Sequence, residues 1–159
     1  MSAFEGLDGG CTCGALRYRL TDRPLTVHCC HCTWCQGLTG SAFILNAWIE
    51  ADRVELLQGE PLESPVPTPS GGPYTAARCP DCQIVIWGTF GPPIFRFVRV
   101  GTLDEPDALP PDLHIYTSTK APWLALDDRV PVFEEYYRRS EVWRPEAVAR
   151  YKSAIAAAG

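Results

Sequence analysis

Short runs in which apolar and polar residues alternate recur along the chain, and this pattern predicts a mostly β protein. The predicted strands cover residues 14–20, 27–32, 42–50, 53–58, 74–78, 84–87, 94–100 and 114–116. Only Ala51 and Asp52 separate the third run from the fourth, so we expect these two strands to form a hairpin. Residues 61–73 contain five prolines and therefore predict a surface loop.

Two segments near the C-terminus carry helical patterns. Residues 132–139 have acidic residues early and arginines late, which matches the helix macrodipole and predicts a short helix. Pro145 is a favoured first helical residue, and Val148, Tyr151 and Ile155 fall on one face of the helix that would follow. We expect this second helix to pack on its own domain.

Composition and charge indicate one globular domain and exclude two classes of partner. The 159 residues are 46% hydrophobic and 21% charged, which is typical of globular proteins. The net charge of -5 leaves no basic surplus for nucleic acid or an anionic membrane. Because no secretory signal or membrane-length apolar run is visible, we expect a cytoplasmic protein. We divide it into a domain at 1–140 and a helical tail at 141–159.

The eight cysteines indicate metal binding or catalysis, because thiols stay reduced in the cytoplasm. Cys11 with Cys13, and Cys79 with Cys82, form two short chelating turns that together supply four thiolates. Four thiolates complete a tetrahedron around zinc and leave no position for substrate, so we predict a structural zinc site. A rubredoxin-like iron centre is an alternative for this set.

A second group, Cys30, Cys32 and Cys35, has chelating spacing but only three members. Three ligands leave one position open, which is typical of a catalytic zinc. Strand alternation places Cys29 and His31 on the face opposite Cys30 and Cys32, so we leave Cys29 outside the ligand set. A Cys-His nucleophile built on Cys29 is a further alternative. Several residues remain alternative fourth ligands: Cys29, His28, His31 and His114.

These motifs resemble the family of glutathione-dependent formaldehyde-activating enzymes, which includes centromere protein V. The matching segments are Gly10-Cys11-Thr12-Cys13-Gly14, Cys30-His31-Cys32-Thr33-Trp34-Cys35, Thr39-Gly40-Ser41, Cys79-Pro80-Asp81-Cys82, His114-Ile115-Tyr116 and Lys120-Ala121-Pro122-Trp123. The resemblance spans roughly residues 9–137. It implies small coiled β-sheets around zinc, the Mss-type zinc fold. It also implies a structural zinc on the four-cysteine set and thiol chemistry at the three-cysteine set.

The activity that the resemblance implies is that of a carbon–sulfur lyase acting in either direction. It would join a small, glutathione-like thiol to formaldehyde or a related aldehyde, with Cys30, Cys32 and Cys35 as catalytic zinc ligands. We name Ser41 and His114 as candidate substrate-binding residues, since the alkoxide formed needs a hydrogen-bond or proton donor. Thr39 and His31 are alternatives for that role. A homodimer is left open, and the alternative function is a non-catalytic zinc module that binds a protein partner.

The sequence departs from the family pattern at three positions. Gln83 stands where similar sequences have Gly, Arg78 where an aromatic residue is usual, and Gly37 where a basic residue is common. Gly37 removes a positive charge that would meet a glutathione carboxylate beside the open site. Cations elsewhere in the chain are candidates for that contact: Arg96, Arg99 and Lys120.

Overall fold

Ten strands in two sheets form the framework of the computed structural model, which describes residues 3–159. The strands are β1 Leu7–Gly10, β2 Arg17–Leu20, β3 Thr26–Cys30, β4 Ile44–Glu50, β5 Val54–Gln58, β6 Leu62–Pro65, β7 Tyr74–Arg78, β8 Val85–Phe90, β9 Phe95–Arg99 and β10 Leu113–Ile115. The helices are α1 Thr33–Thr39, α2 Arg139–Val142 and α3 Pro145–Ala158. The predicted mostly β fold with a C-terminal helix is confirmed. Residues 1 and 2 of the predicted domain 1–140 lie outside the described residues.

The sheets have three and seven strands, in the orders β1-β2-β5 and β10-β3-β4-β9-β8-β7-β6. All neighbours are antiparallel except β10 and β3, which run parallel. The largest core cluster joins residues of both sheets. At its centre the rings of Tyr18 and Trp87 meet edge to face, with centroids 6.0 Å apart. Such pairs bury large apolar areas and fix how the two sheets pack.

The hairpin predicted from residues 42–50 and 53–58 does not form. β4 pairs with β3 and β9 in the large sheet, whereas β5 pairs with β2 in the small one. A single 3-10 turn at Ala51–Arg53 redirects the chain, so that Val54 faces Leu20. Alternation predicts which face of a strand is buried, but the partner depends on packing between distant segments.

Two further segments differ from their predictions. The proline-rich loop contains the edge strand β6, which ends at Pro65; proline is tolerated there because an edge strand has unpaired N–H groups. The helix predicted at 132–139 is absent, and only α2 follows it. The amide of Phe133 donates to the carbonyl of His114, and the amide of Tyr116 donates to the carbonyl of Glu135. Pairing with β10 therefore replaces helical hydrogen bonds.

The C-terminal helix α3 begins at Pro145, as predicted, and packs on the large sheet. Ala147 is fully buried, and the ring of Tyr151 stacks on Phe95 at 5.1 Å. Ile155, expected on the packed face, is 43% exposed. The helix thus covers its own domain, while the boundary at residue 140 stays a prediction. Among residues 3–159, no helix is both long enough and apolar enough to cross a membrane.

Candidate zinc centres and active-site pocket

The first cysteine cluster joins the turn after β1 to the turn after β7. The sulfur atoms of Cys11, Cys13, Cys79 and Cys82 all lie within 4.8 Å of one another. The Sγ of Cys13 is 3.5 Å from that of Cys11 and 3.7 Å from that of Cys79. Zinc–sulfur bonds of about 2.3 Å in a tetrahedron separate the sulfurs by about 3.8 Å. The donor set therefore fits a four-coordinate zinc ion.

Backbone hydrogen bonds shape both turns of this cluster. In the first turn, the amide of Gly14 donates to the carbonyl of Cys11, and the amide of Leu16 donates to the sulfur of Cys11 at 3.3 Å. In the second, the amide of Gln83 donates to the carbonyl of Cys79. Gln83 has a φ of +64°, in the left-handed region that glycine adopts most readily. Glycine would adopt this conformation without strain.

The second cysteine cluster lies where β3 ends and α1 begins. Cys30 is the last residue of β3, Cys32 caps α1, and Cys35 is buried in the first turn of α1. Their sulfur atoms lie within 4.8 Å of one another. No sequence pattern predicted α1, because its N-cap is a cysteine rather than Ser, Thr, Asp or Asn. Three converging sulfurs suit a zinc ion with one position left for another ligand.

Hydrogen bonds within the second cluster distinguish its three sulfurs. The neighbouring sulfurs of Cys30 and Cys35 lower the pKa of Cys32. The same contacts raise the pKa of Cys35. The amide of Cys35 also donates to the sulfur of Cys32, at 3.3 Å. The thiolate is the form in which all three cysteines would bind a metal.

A third cluster lies on the opposite face of β3 and contains Cys29, His31 and His114. All three side chains are buried, and Nε2 of His31 lies 3.5 Å from the Cys29 sulfur. Nε2 of His31 is 2.9 Å from Nδ1 of His114, the distance of a hydrogen bond. Burial lowers the pKa of His31 to about 4, so its ring is neutral at pH 7. The predicted separation of Cys29 and His31 from Cys30 is confirmed.

An apolar pocket opens beside the second cluster. Its volume is about 410 Å³, and Cys30 and Cys35 form part of its wall. Aromatic side chains provide much of the remaining wall: Trp34, Trp48, Tyr74, Phe90, Phe95, Phe97, Tyr116, Tyr136 and Tyr151. Two guanidinium groups, those of Arg99 and Arg139, also line it. A concave, mostly apolar pocket with few polar groups is typical of a small-molecule site.

The substrate-binding candidates lie at different distances from this pocket. Ser41 is exposed in the turn after α1 and is not among the pocket's lining residues. His114 faces Cys29 across the β10–β3 pair, whereas its neighbour Ile115 faces Cys30 and lines the pocket. Their predicted roles stay predictions. Of the three candidate cations, only Arg99 lines the pocket, because Arg96 stacks on Trp87 and Lys120 donates to backbone carbonyls.

Sequence reasoning missed two pocket residues. Tyr116 has a φ of +55°, and such strained backbone often marks a functional site. It packs against the cluster that contains Cys30 and Cys35. Its place after His114 in a family motif could have indicated it. The sequence pattern places Arg139 at the end of the helix predicted at 132–139. No local pattern shows that the fold brings this residue to the pocket.

The fold and the clusters define a mostly β protein in which converging cysteine sulfurs could hold zinc. The profile of the family described as glutathione-dependent formaldehyde-activating enzyme matches residues 6–119. The chain belongs to this family. A comparison with curated proteins found no match. A crystal structure of a Rhodobacter sphaeroides protein aligns with 79% of this chain and 99% of its own, at 16% identity and a TM-score of 0.47.

Proposed function

We propose that this protein is a zinc-dependent carbon–sulfur lyase that joins a small thiol to formaldehyde or a related aldehyde, and runs the reaction in reverse. The observation that carries the proposal is the convergence of three cysteine sulfurs, two of which, those of Cys30 and Cys35, belong to the wall of an apolar pocket. Family membership supports glutathione as the thiol and formaldehyde as the electrophile. The four-cysteine cluster would hold a structural zinc, since its donor set has no position for substrate.

The residues that would hold the second zinc are Cys30, Cys32 and Cys35. When bound there, zinc lowers the pKa of a thiol that coordinates it, so that the sulfur is nucleophilic at neutral pH. β3 and α1 fix the three sulfurs on rigid backbone, which keeps the open position directed to one place. The aromatic walls of the pocket give this side of the cluster apolar surroundings.

The reaction needs a proton to reach the aldehyde oxygen. A carbon–sulfur bond forms, the carbonyl double bond becomes a single bond, and the thiol's proton ends on the oxygen; nothing is oxidised or reduced. Tyr116 lines the pocket and packs beside the cysteines, so its hydroxyl is the group we place near that oxygen. Burial raises the pKa of Tyr116, so the hydroxyl is protonated at neutral pH and can donate.

The test measures by exchange NMR how fast glutathione and formaldehyde interconvert with their adduct. Zinc-loaded protein should accelerate the exchange, and Cys32→Ser should abolish the acceleration while the protein stays folded. The matched control is Cys29→Ser, a buried neighbour outside the cluster, which should retain it. Tyr116→Phe should slow the exchange by about a hundredfold, the usual contribution of a proton donor. Equal rates with and without the protein would overturn the proposal.

The alternative function, a zinc module that binds a protein partner, would be favoured by an exposed apolar face on the C-terminal helix. In the structure, that helix packs Val148, Tyr151 and Ala154 against the cluster around Trp48. Its main apolar face is therefore covered by its own chain. This packing favours the enzymatic proposal.

A further inference from the structure

The charge of the pocket beside the second cluster differs from that of the whole chain. The chain carries a net charge of -5, yet none of the pocket's lining residues within the described part of the chain is Asp or Glu. Arg99 and Arg139 are the charged side chains in its wall. The pocket is therefore a local cationic site within an acidic protein.

Neither arginine pairs with a carboxylate among residues 3–159. Arg99 donates to the amide oxygen of Asn46 and to the hydroxyl of Tyr74, both neutral groups. Arg139 has a buried Nε without a hydrogen-bond partner among the described residues. Guanidinium groups in apolar surroundings are stabilised by anions, and a planar carboxylate matches their geometry.

Arg139 is held inside an aromatic frame. Its Cζ lies 4.9 Å from the ring centroid of Tyr151 and 5.1 Å from that of Trp48, so the cation rests on ring faces. Its side chain lines the pocket together with those of Trp48 and Tyr151, so the charge lies in the pocket wall. The same rings form the walls, which therefore suit an apolar body attached to the anion.

We propose that this pocket binds a carboxylate with an apolar, ring-sized body, with Arg139 as its specificity-determining residue. Glutathione has an ammonium group in addition to two carboxylates, and the pocket wall has no acidic side chain to meet it. A ligand without an ammonium group matches the wall better. The inference rests on the proposed function only in one respect: such a ligand would carry its thiol or aldehyde toward Cys30 and Cys35.

The experiment is a calorimetric titration of zinc-loaded protein with three probes. Phenylacetate has a ring and a carboxylate, phenethyl alcohol has the same ring without the charge, and glutathione is the zwitterionic comparison. Phenylacetate should bind at least about tenfold more tightly than the alcohol, as expected for a charge-assisted hydrogen bond. Equal affinity for the acid and the alcohol, or tighter binding of glutathione, would overturn the proposal.

Variants locate the binding at Arg139. Arg139→Gln should weaken phenylacetate by about tenfold and leave the alcohol unchanged, whereas Arg139→Lys keeps the charge but not the planar fork and should bind phenylacetate more tightly than the glutamine variant. The control is Arg138→Gln, which removes the same charge from an adjacent side chain that is 83% exposed. If Arg139→Gln does not fold, Arg139→Lys tests the assignment in its place. Loss of phenylacetate binding in a folded Arg139→Lys protein would refute the assignment. Equal effects of the substitutions at Arg138 and Arg139 would also refute it.

Binding and catalysis are measured separately, so the two proposals can fail separately. Calorimetry measures phenylacetate binding and exchange NMR measures the reaction, both on the zinc-loaded protein. Binding without any acceleration of the glutathione–formaldehyde exchange would defeat the proposed reaction and leave the pocket assignment standing. Acceleration of that exchange without phenylacetate binding would defeat the pocket assignment and leave the proposed reaction standing.

Discussion

The Sγ atoms of Cys13 and Cys79 lie 3.7 Å apart, although 66 positions separate these residues in the chain. A metal at this point would tie the turn after β1 of the small sheet to the turn between β7 and β8 of the large one. Its binding free energy is then part of the folding free energy. The four sulfurs are thus a constraint on the whole domain.

Removing the metal from the first cluster should destabilise the protein. We expect Cys79→Ser to lower the free energy of unfolding by at least about 3 kcal/mol, because three sulfurs hold zinc less tightly and the turns lose their tie. Urea unfolding of the zinc-loaded proteins measures the change. Cys32→Ser should lower the free energy of unfolding by less, since its cluster joins segments that are neighbours in the chain. A larger loss in Cys32→Ser than in Cys79→Ser would indicate that the second cluster, not the first, holds the structural metal.

Metal content should follow the two cysteine clusters. Elemental analysis should find one zinc ion for each cluster, with one lost in Cys79→Ser and the other in Cys32→Ser. Cys29→Ala should keep both zinc ions, because Cys29 belongs to neither cluster. Its neighbour His31 is hydrogen-bonded to His114. An intensely coloured iron-loaded protein, or loss of zinc in Cys29→Ala, would contradict this distribution.

The left-handed backbone at Gln83 stores strain that glycine would relieve. Gln83→Gly should raise the free energy of unfolding by about 0.5 to 1 kcal/mol, because a side chain in this region costs about 1 kcal/mol or more. The gain is limited, since the side-chain amide of Gln83 donates to the carbonyl of Pro80 and this contact is lost. Gln83→Ala is the control, and it should be less stable than the natural protein.

Gly37 lies in α1 with open space around it. A Cβ placed there meets no atom within 4 Å, so Gly37→Ala should stabilise the helix by up to about 1 kcal/mol, measured by thermal unfolding. Gly37→Arg should give a similar gain and add a positive charge near the second cluster. If glutathione is the substrate, only the arginine variant should lower its KM; a lower KM in both variants would exclude a charge effect.

The buried carboxylate of Glu50 attaches α3 to the end of β4. Arg150 contacts it through two hydrogen bonds, with Nη2 at 2.6 Å and Nε at 2.9 Å. Arg150→Met should cost about 2 to 3 kcal/mol in urea unfolding, since it leaves the buried charge only a 3.4 Å contact to Arg53. Adding Glu50→Gln should recover part of the loss. Arg138→Met, at an exposed pair, should change stability by less than about 0.5 kcal/mol.

Local patterns predicted eight of the ten strands and the last helix, but not β1 and β6. Alternation predicted β4 and β9 to within a few residues, and Pro145 marked the start of α3. Alternation also separated Cys29 and His31 from Cys30, since adjacent residues of a strand point to opposite faces. The cysteine spacing indicated two metal sites before any fold was known.

Only the tertiary structure decided which strands pair and which residues surround the second cysteine cluster. β5 pairs with β2 instead of forming the predicted hairpin with β4, and the segment predicted as a helix at 132–139 pairs with β10. In both cases long-range hydrogen bonds and burial outweigh the weak local propensity. Arg139 and Tyr116 reach the pocket through that same packing. The sequence by itself determined which residues could bind metal. What lies beside the metal, and so what substrate fits there, depends on contacts between segments distant in the chain, which no local pattern encodes.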